Sequence, residues 1–192
     1  MRIKDSPLKK ITYLCESYGL DQDEIYSKTQ LVISVYHEIV WGSVKKEYLA
    51  GSGGSLEKDF YAALSYLNGF PATESKSGLQ AKLLNLFLSD WFSSLIGEAL
   101  SGISEYARNG DVYAELLSKR FFSEHRFLDK ELYPEMKMTK STYYRHRQEA
   151  ILFLGVRLWG SVLPDRMKLL SSIGVPKKAT LLLVAEPKEL PL

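Results

Sequence analysis

Between Leu79 and Ile103 the chain places Leu83, Leu84, Phe87, Leu88, Trp91, Phe92, Leu95, Ile96, Ala99 and Leu100 at intervals that cover more than one stripe of a helix. A helix so apolar has to be enclosed, either at the centre of a core or against another subunit. Lys82, Asp90 and Glu98 interrupt it, whereas a bilayer span needs about 20 nearly uninterrupted apolar residues. The segment therefore predicts one long buried helix, Leu79 to Arg108, in a protein with no membrane partner. The remaining apolar residues follow the same three- and four-residue spacing with almost no strand alternation, so the expected fold is all-α.

Local signals divide the chain into helices. Ser6-Pro7 is a start, a capping hydroxyl followed by proline at the first helical position, and Gly19 is a stop. Asp21, Asp23 and Glu24 load the head of a second helix, where acids suit the dipole, and Ile25, Val32, Val35, Tyr36, Ile39 and Val40 carry it towards Leu49. Gly51-Ser52-Gly53-Gly54-Ser55 has the composition of a flexible connector, whether native or standing in for a deleted loop, with Ser55 placed to cap the next helix. That helix, from Leu56 to Leu67, buries Phe60, Leu64 and Leu67, and Thr73 to Gly78 is a polar loop. Asn109-Gly110 ends the long helix, and Asp111 caps another reaching Ser123 with Val112, Leu116, Leu117 and Phe121 inward. Helices are then expected over Leu128 to Glu135, Thr139 to Trp159 and Pro164 to Ser172, with a lone strand at Thr180 to Ala185.

Several classes of function find no support in these residues. His37, His125 and His146 are scattered without zinc spacing, and no glycine loop precedes a lysine and a hydroxyl. We expect no enzyme, no catalytic residues, no cofactor and no metal. Glu98 and Asp90, eight apart on the apolar helix, are better placed to meet a cation of a neighbouring helix in a buried ion pair than to act as an acid/base pair. The single cysteine, Cys15, lies in an apolar helical pattern with Ile11, Leu14 and Tyr18, which fits an inert buried thiol in a reducing cytoplasm. The first residues, with Lys4, Asp5, Lys9 and Lys10, do not read as a secretory signal.

Charge is distributed unevenly. Met1 to Met136 holds 15 Lys and Arg against 19 Asp and Glu, while Lys137 to Leu192 holds 10 against 4. Such asymmetry points to a basic contact surface near one end. It coincides with the run Thr139-Lys140-Ser141-Thr142-Tyr143-Tyr144-Arg145-His146-Arg147-Gln148-Glu149-Ala150-Ile151. Thr139 is a cap worth about 1 kcal/mol. Tyr143, Ala150, Ile151 and Leu154 share an inward face, and Leu128, Leu132 and Tyr133 of the preceding helix supply its core. No acid falls between Met136 and Gln148. A helix that is cationic at its head and apolar behind suits a major groove. Arg145 can bond both acceptors of a guanine edge, and Ser141 or Thr142 can touch a base edge, a thymine methyl or a phosphate. Lys137, Lys140 and Arg147 suit phosphate contacts, and His146 is expected as a polar surface residue or backbone contact.

From Glu105 to about Gly160 the chain resembles the ArpU/RinA-type phage transcriptional regulators, whose helix-turn-helix is similar to that by which sigma factors bind the promoter −35 element. The residues carrying the resemblance are Leu116-Leu117-Ser118-Lys119-Arg120-Phe121-Phe122, Asp129-Lys130-Glu131-Leu132, Met138 to Arg145, and Glu149-Ala150-Ile151. The chain departs from that family in its longer N-terminal helical half, its hydrophobic tail, and Phe121-Phe122. The resemblance implies a phage or prophage protein that binds promoter or operator DNA and works with RNA polymerase, with Lys140, Ser141, Thr142, Tyr144 and Arg145 facing the duplex.

The resulting expectation has three regions: a helical bundle for oligomerisation or partner binding over 1–108, a DNA-binding helix-turn-helix over 109–174, and a tail over 175–192. The candidate DNA contacts are Lys137, Thr139, Lys140, Ser141, Thr142, Tyr144, Arg145, His146 and Arg147. Partners would be double-stranded DNA, RNA polymerase and a second copy of the chain, in a nucleoid-associated cytoplasmic setting. Two alternatives use the same residues differently: a helical adaptor that presents Trp91 and Phe92 to another protein and binds no DNA, and a recognition protein for phage DNA packaging.

Overall fold

Pro7 opens α1 (Pro7–Ser17), and Gly19, at φ +66°, turns the chain out of it in a left-handed conformation that glycine adopts without penalty. The computed structural model describes residues 7–41, 56–106, 108–125 and 127–172, the side chains of 56–60 excepted. Every regular element among these residues is a helix, as the spacing predicts. The expected continuation of the second helix to Leu49, the 51–55 connector with its Ser55 cap, the inward Phe60, the strand at 180–185 and the tail lie outside the described residues.

After α1 come α2 (Gln22–Trp41), α3 (Leu56–Gly69), α4 (Lys76–Phe87) and α5 (Asp90–Ser104). The single helix expected from Leu79 to Arg108 is thus two. The Ser89 hydroxyl accepts from the Phe92 amide and donates to the Leu86 carbonyl. A side chain bonded locally on both sides competes with the backbone ladder and starts a new helix. Ser75 caps the head of α4, accepting from Gly78 N at 3.0 Å, so the expected polar loop ends early. Of the apolar residues expected in a core or at a subunit interface, Leu83, Phe87, Phe92, Leu95, Ile96, Ala99 and Ile103 are buried in one core, while Leu84, Leu88, Trp91 and Leu100 pack against it half-buried.

Next come α6 (Gly110–Leu117), which runs on as a π-helical turn over Ser118–Phe122, then α7 (Asp129–Glu135) and α8 (Lys140–Arg157). Another π-helical turn, Leu158–Val162, leads into α9 (Leu163–Ser172). The start of α6 corrects the expected Asp111 cap. Asn109 sits at φ 61° without a side-chain cap, and a Cβ on Gly110 would collide with the Ile103 and Ser104 carbonyls. Close approach to the end of α5, rather than a capping acid, sets this boundary. The inward residue at its first turn is Tyr113, with Val112 only half-buried.

Helix α8 is the axis on which the rest is assembled. It packs on α1, α2, α5 and α6, and its residues Ala150 to Leu154 and Val156 join a core that runs from Ile11 to Leu163. Gly155 makes the crossing with α2 possible, because a Cβ there would strike Thr29 Oγ1 and Ile25. The Trp159 indole donates to the Leu67 carbonyl at 3.1 Å and ties the end of α3 to the same axis. Glu98 does meet a cation of a neighbouring helix, Arg166 of α9 at 2.7 Å, but the pair is exposed rather than buried. Cys15 is buried, and desolvation pushes its thiol above the ordinary value, as an inert core residue requires.

Candidate nucleic-acid interface

The short α7 and the long α8 are joined by Met136 to Thr139. Lys137 takes φ 53°, left-handed backbone that costs a residue with a Cβ roughly 1–2 kcal/mol. The turn is held by amides of Met136, Lys137 and Met138 donating to the carbonyls of Leu132, Pro134 and Tyr133 at 2.8–2.9 Å. At the other end of α7 the Leu128 amide donates to Glu131 Oε2 at 2.7 Å. Thr139 Oγ1 accepts from the Thr142 amide at 3.2 Å, so the predicted cap is present. A small core of Leu116, Leu132 and Tyr143, flanked by Phe127, Tyr133, Met136 and Met138, fixes α6, α7 and α8 together. Leu128, expected in this core, is exposed.

One carboxylate governs the back of this unit. Asp129 Oδ1 accepts from Arg120 Nε at 2.7 Å and from the Tyr143 hydroxyl at 2.8 Å, while Oδ2 accepts from Arg147 Nη1 at 3.2 Å. Burial by itself would raise the Asp129 carboxyl, but the bonds from Arg120 and Tyr143 and the charges of Arg147 and Arg120 outweigh it and hold the group below its ordinary value. Burial and the bond to Asp129 push the Tyr143 phenol up. The Arg120 and Arg147 guanidinium groups lie 5.4 and 5.9 Å from the centre of the Phe121 ring. The expectation that no acid cancels the basic helix holds along its sequence and fails in space. Arg147, predicted to touch phosphate, is committed to Asp129.

His146 also departs from expectation. It is 8% exposed, its ring 5.5 Å from that of Tyr113, with Nδ1 at 3.8 Å from Glu149 Oε2. Glu149 in turn accepts from the Tyr113 hydroxyl at 2.7 Å. Burial pushes His146 below its ordinary value, with Glu149 opposing and Arg145 assisting. The imidazole therefore belongs to the packing between α6 and α8 and not to the surface.

The other predicted contacts stay together on the outside. Lys137, Thr139, Lys140, Ser141, Tyr144 and Arg145 are exposed and Thr142 is half-buried. Lys137, Lys140 and Arg145 have no ion pair among the described residues. The Thr139 hydroxyl bonds to that of Ser141 at 3.2 Å and donates to that of Thr142 at 2.9 Å, which orders the head of α8. Sequence reasoning missed Asp129 as a hub and Tyr113 and Glu149 as a buried pair. Their partners lie nine to 36 residues away, where helical periodicity carries no information.

The fold and this surface define an all-α protein in which one long helix is cationic at its exposed head and anchored in the main core by its second half. Comparison with known protein families, with characterised proteins and with solved structures gives no match. Among the described residues no helix is long and apolar enough to cross a membrane, and no three His, Cys, Asp or Glu residues are grouped to hold a metal ion.

Proposed function

We propose that this chain is a sequence-specific DNA-binding regulator of transcription in which α7 and α8 act as a helix-turn-helix and the first turns of α8 enter the major groove. One observation carries the reading. The first nine residues of α8 present Lys140, Ser141, Tyr144 and Arg145 outward with no acid paired to these cations among the described residues, while Glu149 to Val156 are buried without a break. A reading helix gains from being held rigidly at its far end, because base contacts need placement to within about 0.5 Å. Lys137 and Lys140 supply phosphate contacts that set orientation, and Arg145 supplies a planar fork for a guanine edge. In this reading the bound chain acts at a promoter or operator, and the helices before α6 are the surface open to RNA polymerase or to a second copy.

Fluorescence anisotropy on duplex DNA across a salt series tests the proposal. Affinity should fall steeply with salt, and replacing Lys137 and Lys140 with alanine should lower the log–log slope by roughly 2. Arg145→Ala should cost a selected site about 1–3 kcal/mol. Absence of binding at low salt by a folded chain would reject DNA reading and put the protein-interaction adaptor in its place.

A further inference from the structure

The outward face of α8 has a midline, and the residue on it furthest from the helix start is a glutamine. At about 100° per residue, Ser141 and Gln148 stand roughly 160° and 140° from the buried Tyr143, with Tyr144 and Arg145 to either side. Gln148 is exposed and its side chain has no hydrogen-bond partner among the described residues. It is also the last exposed position of α8, since Glu149 and the residues after it turn into the core. Ser141, Tyr144, Arg145 and Gln148 thus form an i, i+3, i+4, i+7 stripe, a spacing that lines one side chain above another along a groove.

Resting on the DNA-reading role of α8, we infer that Gln148 is a specificity-determining residue that recognises adenine next to the guanine read by Arg145. A glutamine amide offers one acceptor and one donor in a plane, matching the N6 amino group and N7 of adenine in the major groove. Along the helix Gln148 lies about 4.5 Å beyond Arg145, a separation comparable to the base step of roughly 3.4 Å, which puts neighbouring base pairs within reach of the two side chains. Glutamate in the same place would lose the donor and accept from the amino group of cytosine.

The test is site selection from a randomised duplex pool with the full chain and with Arg145→Ala, Gln148→Ala and Gln148→Glu, each verified as folded by urea unfolding. The full chain should select an adenine within one or two base pairs of the guanine that Arg145→Ala ceases to select. Gln148→Ala should keep the guanine, lose the adenine, and bind the selected site roughly 5- to 150-fold more weakly. Gln148→Glu should shift that position to cytosine. An unchanged consensus in folded Gln148→Ala overturns the inference while DNA reading stands. Salt-dependent binding without any selected sequence also overturns it, and no duplex binding at all removes the proposed function together with it.

Discussion

Replacing Asp129 with asparagine removes the charge at the back of the candidate interface and leaves its shape. The carboxylate accepts three bonds, from Arg120 at 2.7 Å, Tyr143 at 2.8 Å and Arg147 at 3.2 Å. In Asp129→Asn the side-chain amide would keep one carbonyl acceptor and place its NH2 group against guanidinium donors. Hydrogen bonds to charged groups contribute about 1.5–3 kcal/mol each when intact, while exposed ion pairs contribute about 1 kcal/mol or less. The Asp129 side chain is 20% exposed and that of Arg120 11%, so the site lies nearer the buried case, and we expect a net loss of about 2 kcal/mol. For a chain of this size that lowers Tm by roughly 4–8 °C. The folded carboxyl lies below its ordinary value, so its contribution is fully present above the unfolded pKa of about 3.9 and disappears as pH falls through the folded one. Urea unfolding of both chains at pH 7 and in acid down to about pH 3 checks this. The difference should shrink progressively in acid, as Asp129 becomes protonated and as neutral as asparagine. A loss below about 0.5 kcal/mol at pH 7, or a loss that stays constant from pH 7 down to about pH 3, would refute the electrostatic argument.

Gly155→Ala forces a methyl group into Thr29 and Ile25 at the α2–α8 crossing, and an overpacked core costs about 1–3 kcal/mol; unaltered denaturant midpoints would show that the crossing yields. His146 is held below its ordinary value chiefly by burial, so the unfolded chain binds more protons once pH falls through about 6.5, and stability should drop from there until the pH reaches the lower folded value. His146→Gln should flatten that part of the pH profile, and an equal slope in the variant would assign it to another group. Thr139→Ala removes the cap on α8 and should cost about 1 kcal/mol, with Thr139→Ser close to the parent; equal loss in both would mean the methyl group matters and the hydroxyl does not.

Much of this architecture is legible in local sequence because helix ends are decided within one turn. Pro7 fixes its own φ at the first helical position, Gly19 and Thr139 bond to groups three residues away, and the structure places each where the pattern of residue types predicts. The same kind of signal stands at Ser89-Asp90, but continuous apolar spacing on either side masks it. The candidate surface is visible for a related reason: Lys140, Ser141, Tyr144 and Arg145 share a face by helical geometry alone. The surroundings of that face cannot be read this way. Asp129 captures Arg147 from 18 residues off, and Tyr113 reaches Glu149 across 36. Burial and charge pairing depend on which helices meet, so His146 becomes a core residue and Arg147 a structural one only when α6 and α7 close against α8. Helical periodicity determined the fold class and the outward stripe, and three-dimensional packing decided which cations remain free to meet a partner.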